Sequence, residues 1–302
     1  MSEKFAFIDA QKAVRNPDGR PRYQVRLMCA WLSVSTSGFY EWAARGRSAT
    51  AAWRAELGEV IAVIFAESEG TYGYRRVHAE LARRGRPCHR ETVRSIMGEL
   101  GLVACQPRAR RRCLTKAGEQ VGHIPDLVGR DFTSDTPGAK LVMDITYVRT
   151  WQGWLYVALV IDCCSRGIVG YAMADHYRTP LITEAIEMAA RNIDIPDGAV
   201  AHSDRGSNYT SDEFAAVLSR LGLSRSVGRT GNCFDNALAE STNGFLKVEL
   251  VNRKQYPTRE MAKKDITRWI ELFYNRRRLH SGIGYKTPNE ILASHRETRK
   301  TA

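Results

Sequence analysis

Leu141-Val142-Met143-Asp144-Ile145-Thr146-Tyr147-Val148 is the stretch from which the fold can be read. Its apolar side chains alternate with period two, the pattern of a strand. It also carries a carboxylate among hydrophobic neighbours, where an unpaired one is costly to bury. Leu155 to Ile161 is a continuous buried run, Arg166 to Ala174 reads as a third strand, and Trp151-Gln152-Gly153 is the turn between the first two. A helix (Leu181–Asn192), a short strand (Ala199–His202), a second helix (Ser211–Leu221) and a strand (Leu223–Val227) follow. A glycine-rich loop, 228–235, then leads into a helix from Asn236 to about Leu250. The order βββαβαβα predicts an α/β unit with a mixed five-stranded sheet and helices packed on its faces.

Upstream the periodicity is helical. Val25, Leu27, Met28, Trp31 and Leu32 recur at helical spacing. Ser33-Val34-Ser35 interrupts them, and Ser35 can cap a second helix through Phe39, Tyr40 and Trp42. Helix, short polar turn and helix is the pattern of a helix-turn-helix. A second helical unit has stripes at Leu57, Val60, Ile61 and Ile64, at Tyr74, Val77 and Leu81, and at Val93, Ile96, Met97 and Leu100. Gly101 stands where a C′ glycine would end the last of these helices. Arg75, Arg76, Arg90 and Arg94 are placed for phosphate or base contacts. Residues 103–138 lose periodicity and contain Arg108-Ala109-Arg110-Arg111-Arg112, a basic linker. Past the sheet, Ala262, Ile266, Trp269, Ile270 and Phe273 share one face of a tail helix that Thr258 can cap, and Arg276, Arg277 and Arg278 lie beyond its end. The expected segments are therefore 1–47, 48–106, a linker 107–136, a core 137–256 and a basic helical tail 257–302.

Charge is divided in the same way. The 302 residues carry a formal net charge of +12. Residues 1–120 hold 21 basic and 12 acidic side chains, residues 121–250 hold 11 and 16, and residues 251–302 hold 13 and 5. Two basic flanks around an acidic middle suggest arms for a polyanion and a centre with another task. With 43% hydrophobic residues the chain can bury a core, which excludes a disordered polycation. The apolar run Trp154–Ile161 stops at Asp162, too short to span a bilayer. Seven irregularly spaced cysteines and no signal-peptide hydrophobic region suit a reducing cytoplasm.

Three acids lie where such a sheet would expose them together. Asp144 is in the first strand, Asp204 directly follows the short strand ending at His202, and Glu240 is one turn into the helix after the glycine-rich loop. Between the last two lie 35 residues. Three carboxylates repel one another unless cations neutralise them. Hard oxygen ligands suit Mg²⁺ or Mn²⁺, and two such ions about 3.5–4 Å apart can serve an in-line phosphoryl displacement. Lys247, two turns beyond Glu240 on the same helical face, could hold a DNA phosphate or terminal base. Asp235 competes for the third place but could serve the cap at Asn236, and Asp162, at a strand end, is an outer group.

Met143-Asp144-Ile145-Thr146-Tyr147, His202-Ser203-Asp204-Arg205-Gly206-Ser207-Asn208-Tyr209 and Gly231-Asn232-Cys233-Phe234-Asp235-Asn236-Ala237, with Glu240 and Lys247, resemble the DDE transposases of bacterial insertion sequences. More narrowly, the chain resembles the OrfB product of the IS3 family, whose core is similar to retroviral integrase. The likeness extends upstream to Tyr72-Gly73-Tyr74-Arg75-Arg76 and downstream to Tyr274-Asn275-Arg276-Arg277-Arg278-Leu279-His280-Ser281 and Gly284-Tyr285-Lys286-Thr287-Pro288. It implies a ribonuclease-H-like core in which Asp144, Asp204 and Glu240 bind divalent metal and Lys247 touches the element's end. It further implies hydrolysis at that end followed by attack of the freed 3′-hydroxyl on target DNA, with no covalent protein–DNA intermediate. The implied partners are double-stranded DNA (terminal inverted repeats and target), further copies of the chain in a synaptic complex, and an upstream OrfA product joined by frameshift. The implied place is the bacterial nucleoid. Phe234 stands for the more usual tyrosine and Ser241-Thr242-Asn243 for a more aromatic stretch, and neither departure is expected to touch the triad. His78, Cys88, His89, Cys105 and Cys113 match no tetrahedral spacing, so no zinc is expected. Arg277, His280 and Tyr285 lack the other parts of a tyrosine recombinase. A nuclease of the same fold that cuts without joining, and a non-catalytic DNA-binding regulator, are the alternatives.

Overall fold

The computed structural model describes residues 2–45, 48–105, 124–229 and 233–301, so the basic run 108–112 and Cys113 lie outside the described residues. The chain divides into two compact units, Met1–Ile64 with Glu91–Leu102 and Phe65–Arg90 with Val103–Ala302.

In the first unit, helices α1 (Ser2–Lys12), α2 (Val25–Trp31) and α3 (Thr36–Ala44) close on Phe5, Ile8, Met28, Cys29 and Phe39. Ser35 caps α3 as its position suggests, its side chain accepting from the Gly38 amide at 3.3 Å. Helix α1 is not evident in the sequence because it buries only Phe5 and Ile8, too few apolar positions to establish a period. Helix α4 (Ala49–Glu67) begins in this unit, α5 (Tyr74–Arg83) lies outside it, and α6 (Arg90–Glu99) closes it. Arg54 of α4 bonds Ser95 and Glu99 of α6. Gly101 does take the left-handed conformation, φ +64°, expected after α6, whereas Leu100 is exposed instead of completing the buried stripe.

The second unit is built on one sheet: β1 (Lys140–Thr150), β2 (Gly153–Asp162), β3 (Ile168–Ala174), β4 (Val200–Ser203) and β5 (Ser224–Val227), in the order β3-β2-β1-β4-β5. β1/β2 and β2/β3 are antiparallel, β1/β4 and β4/β5 parallel. Strand alternation sorts the core in two. Leu141, Met143, Ala158 and Val160 pack under α7 (Thr179–Asn192) and, past a short turn α8 (Ser207–Thr210), α9 (Asp212–Arg220). Val142, Val148, Leu155, Val157 and Leu159 pack under α10 (Ala237–Glu249) and α11 (Arg259–Arg268). Gly170 of β3 lets α7 lie close, since a Cβ there would stand 2.2 Å from the Ala185 carbonyl oxygen. No described helix is long and apolar enough to cross a membrane.

Thr258 caps α11 through the Met261 amide, as expected. The helix then widens into a π-turn, Trp269–Tyr274, whose extra residue rotates the stripe, so Tyr274 is fully buried and Phe273 only partly. A last helix, α12 (Pro288–Thr301), follows.

The segment expected at 48–106 is divided, because α5 is bolted to the tail. Tyr72 Oη donates to the Arg277 carbonyl at 2.7 Å and accepts from the Leu279 amide at 2.9 Å. Arg76 Nε donates to the Leu279 carbonyl at 2.9 Å, and Arg83 pairs with Glu290. Beside them Arg278, 1% exposed, makes a bidentate pair with Glu249 at the end of α10, at 2.7–3.0 Å, and lies 4.0 Å from the Phe245 ring centroid. Arg278→Met is expected to lower unfolding free energy by about 3–5 kcal/mol, because it leaves a buried carboxylate unpaired. The double substitution Glu249→Gln with Arg278→Met should recover most of that loss in urea titrations; equal losses would show that the pair itself is not what matters.

Candidate active site

The register between β1 and β4 builds the site. Their pairing runs Lys140–Val200, Leu141–Ala201 and Val142–His202. Two residues further along each chain stand Asp144 and Asp204, so the parallel strands bring them side by side. Alternation places Asp144 on the face of Val142 and Val148, beneath α10. There its Oδ1 accepts from the Ile145 amide at 2.9 Å and its Oδ2 from Asn243 Nδ2 at 2.8 Å. Asp204 is exposed, its Oδ1 accepting from the Gly206 amide at 3.0 Å. Glu240 occupies the first turn of α10.

Burial, with the charge of Asp204 and then that of Glu240, pushes the Asp144 carboxyl up to about 7, while its bonds from Asn243 and Ile145 hold it lower than burial alone would. The charges of Asp204 and Glu240 thus both act on Asp144. Among the described residues no three His, Cys, Asp or Glu side chains lie close enough together to hold a metal ion as a group. Carboxylate oxygens are hard donors, the chemistry that suits a hard divalent cation.

Helix α10 is held at both ends. At its start, Asn236 does not cap with its side chain but donates Nδ2 to the Met143 carbonyl at 3.0 Å. Asp235, buried, serves no cap either. It accepts from Arg229 Nε at 2.8 Å and Arg130 Nε at 2.7 Å, and the two guanidiniums hold its carboxyl far below the usual range. His202 Nε2 meets the Asp235 carbonyl oxygen at 2.8 Å, and since a carbonyl only accepts, that nitrogen carries the hydrogen. Its Nδ1 then accepts from Ser226 Oγ at 2.8 Å, and burial lowers the ring's pKa, keeping it neutral. At the far end Glu249 is clamped by Arg278. Between them Lys247 puts its ammonium 4.7 Å from the Tyr147 ring centroid. Burial lowers its pKa and the charge of Asp144 opposes that shift.

Several expectations are corrected. Arg278 is enclosed by Glu249 and aromatic rings and has no surface to offer DNA. Arg76 is half-buried against the tail carbonyl of Leu279. Arg75, Arg90, Arg94, Arg276 and Arg277 are exposed. Asp162 is fully buried and ties the β2–β3 turn and Gly138 through the Ser165 and Gly138 amides and the Ser165 hydroxyl. The departure at 241–243 does touch the triad, through Asn243. Its place one turn from Glu240 and one turn from Lys247 was the available signal, since all three share a helical face.

Residues 134–233 match an integrase core domain family, 221–288 a second integrase core domain family, and 52–111 an HTH-like domain family. The chain is 36% identical over 261 residues to the insertion element IS600 31 kDa protein of Shigella sonnei, covering 86% of this chain and 96% of that protein. It is 32% identical over 293 residues to the transposase InsF for insertion sequence IS3A of Escherichia coli K12, covering 95% and 98%. The chain belongs to the IS3-family transposases. Among solved structures, a chain of the simian T-cell lymphotropic virus intasome in complex with PP2A regulatory subunit B56 gamma superposes with a TM-score of 0.45 at 17% identity, over 71% of this chain and 69% of that one. As an IS3-family transposase the protein is a DDE-type polynucleotidyl transferase of DNA transposition, with a ribonuclease-H-like integrase core.

The raised carboxyl of Asp144 has a consequence for this transposase without metal. An aspartate ionised above pH 4 when unfolded but only above about 7 when folded contributes stability that is lost as pH rises through that window. Asp144→Asn removes the loss. In EDTA the variant should match wild type near pH 4 and melt at a higher temperature by pH 8, a gap on the order of a few kcal/mol. A lower midpoint at pH 8 would contradict the electrostatic description.

Proposed function

We propose that Asp144, Asp204 and Glu240 are the catalytic carboxylates of this transposase and would hold Mg²⁺ or Mn²⁺, two ions in all. The observation that carries this is the placement of Asp144 in β1 beside the end of β4, where Asp204 stands, and beneath α10, which bears Glu240 in its first turn, so that the charges of both act on the Asp144 carboxyl. Divalent ions bound there would neutralise the cluster and stabilise the attacking and leaving oxygens of an in-line displacement at phosphorus.

The chain's own residues set the geometry. Ile145 N–H and Asn243 Nδ2 each hold one oxygen of Asp144, which fixes the carboxylate plane. The Gly206 amide fixes one oxygen of Asp204. Helix α10, anchored by Asn236 and Glu249, delivers Glu240 against them. In the first step a water oxygen bonds to phosphorus at the element's end as the 3′-oxygen leaves and takes up a proton. In the second, that 3′-hydroxyl loses its proton and bonds to a target phosphorus as the target's own 3′-oxygen departs. One P–O bond forms and one breaks each time, and no side chain becomes the nucleophile. Lys247 holds the terminal phosphate beside the acids. Exposed Arg75, Arg90, Arg94, Arg276 and Arg277 supply phosphate contacts along double-stranded DNA, both terminal repeats and target. Synapsis of two ends calls for more than one copy of the chain, and the upstream OrfA product, by fusion, would add to end recognition. The place of action is the bacterial nucleoid.

Strand transfer with labelled element ends in Mg²⁺ tests the triad: Asp204→Asn and Glu240→Gln should each abolish cleavage and joining while leaving DNA binding intact. Joining that survives either change sinks the assignment, and cleavage without joining by the wild type makes it a nuclease. For Lys247, the Ala variant should bind DNA ends more weakly and reduce the slope of log affinity against log salt by about 0.9. An unchanged slope removes Lys247 from the DNA.

A further inference from the structure

The β1–β2 hairpin presents aromatic rings that core packing does not use. Tyr147 is 54% exposed, Trp154 46% and Trp151, at the tip, 75%. Single exposed apolar side chains need no explanation, but a cluster of them marks a contact surface. Tyr147 and Trp154 meet edge to face, with centroids 5.1 Å apart at 80°. The Lys247 ammonium stands over the Tyr147 ring. The ribbon that carries them is firmly held. Thr150 Oγ1 donates to the Gly153 carbonyl at 2.7 Å and the Trp151 amide to the Tyr256 carbonyl at 3.0 Å. Arg259 donates its amide to Gln152 Oε1 and its Nε to the Trp154 carbonyl, both at 3.0 Å. Rings on a rigid support lose little entropy on binding a planar partner.

The charge pattern selects the partner. From Ile145 to Ile161 the hairpin has no acid and one base, Arg149, which is exposed. Lys247 adds a second cation beside the rings. Aromatic faces flanked by cations suit a nucleobase and the phosphate next to it. Tyr147 lies three residues beyond Asp144, about 10 Å along the strand, and alternation turns its ring to the other face of β1, where Lys247 of α10 reaches over the strand's open edge to stand above it. Within a duplex the base faces are covered by their neighbours, so only a frayed or single-stranded base can offer one.

We propose that Tyr147 and Trp154, with Lys247 beside them, form a stacking platform for an unpaired nucleobase within a few nucleotides of the reacting phosphate. This rests on the assignment of Asp144 to the active site and deepens it by naming the form of DNA that the site engages: an end with its terminal bases unpaired.

The test is binding of the full chain to a short duplex whose 3′ overhang carries 2-aminopurine, with a blunt duplex of the same sequence as reference. Wild type should quench the fluorophore and prefer the overhang. Tyr147→Ala and Trp154→Ala should each lose the quenching and weaken overhang binding about tenfold, with blunt binding changed less than about twofold; Tyr147→Phe should keep both properties. Undiminished quenching in both alanine variants overturns the platform, as does an equal loss on blunt and overhang duplexes. A changed sedimentation coefficient with unchanged quenching would reassign the rings to a contact between copies and overturn it too. Neither readout needs cleavage, so an inactive triad and an absent platform give different results.

Discussion

The site depends on three rungs of parallel pairing between β1 and β4, ending at Val142–His202. Parallel neighbours cannot be joined by a tight turn, and here the chain passes through β2, β3 and α7 before it returns. That detour lets two aspartates 60 positions apart in the chain emerge on one edge, each two residues beyond the last rung. Burying Asp144 and setting it beside Asp204 are both unfavourable, and together they raise its carboxyl, so something larger must enforce the arrangement. The enforcing force is the burial of two apolar layers, one on each face of the sheet. A site that opposes local electrostatics with global packing is primed for a cation.

Helix α10 brings further polar side chains to this edge. Glu240, Asn243, Lys247 and Glu249 fall within three turns of it. Glu240 and Asn243 act on Asp144, Lys247 stands over Tyr147, and Glu249 anchors the helix through a buried ion pair with Arg278. The same tail segment is gripped by Tyr72 and Arg76 from the start of α5. One short stretch, Arg277 to Leu279, thus joins the beginning of α5 to the end of α10. Buried charge pairs add little net stability compared with apolar replacements, so the value of this one lies in fixing where the elements sit.

Much of this was legible beforehand. The succession of strands and helices, the caps at Ser35 and Thr258 and the left-handed Gly101 follow from local chemistry, which depends on neighbours in the chain. The acids Asp144, Asp204 and Glu240 stood out because a carboxylate in an apolar strand, or at a strand's end, needs a reason. Charged side chains misled where only charge was weighed. Arg278 and Arg76 read as DNA contacts because arginines are usually solvated, yet each found a partner in a distant segment. Asp235 read as a cap because it precedes a helix, but Arg229 and Arg130 take both of its oxygens. The π-turn moved Tyr274 into the core in place of Phe273 by a one-residue change that a fixed helical period cannot express.

The sequence by itself determined the order of elements and the two faces of the sheet, because alternation translates chain position directly into space. Only the tertiary structure decided which polar groups complete the site. Asn243 on Asp144, the His202–Asp235–Asn236 anchorage and the exposed Tyr147–Trp154 pair beside Lys247 all depend on contacts between segments far apart in the chain, and hydrogen bonds and ring contacts are too short-ranged for composition or period to foretell.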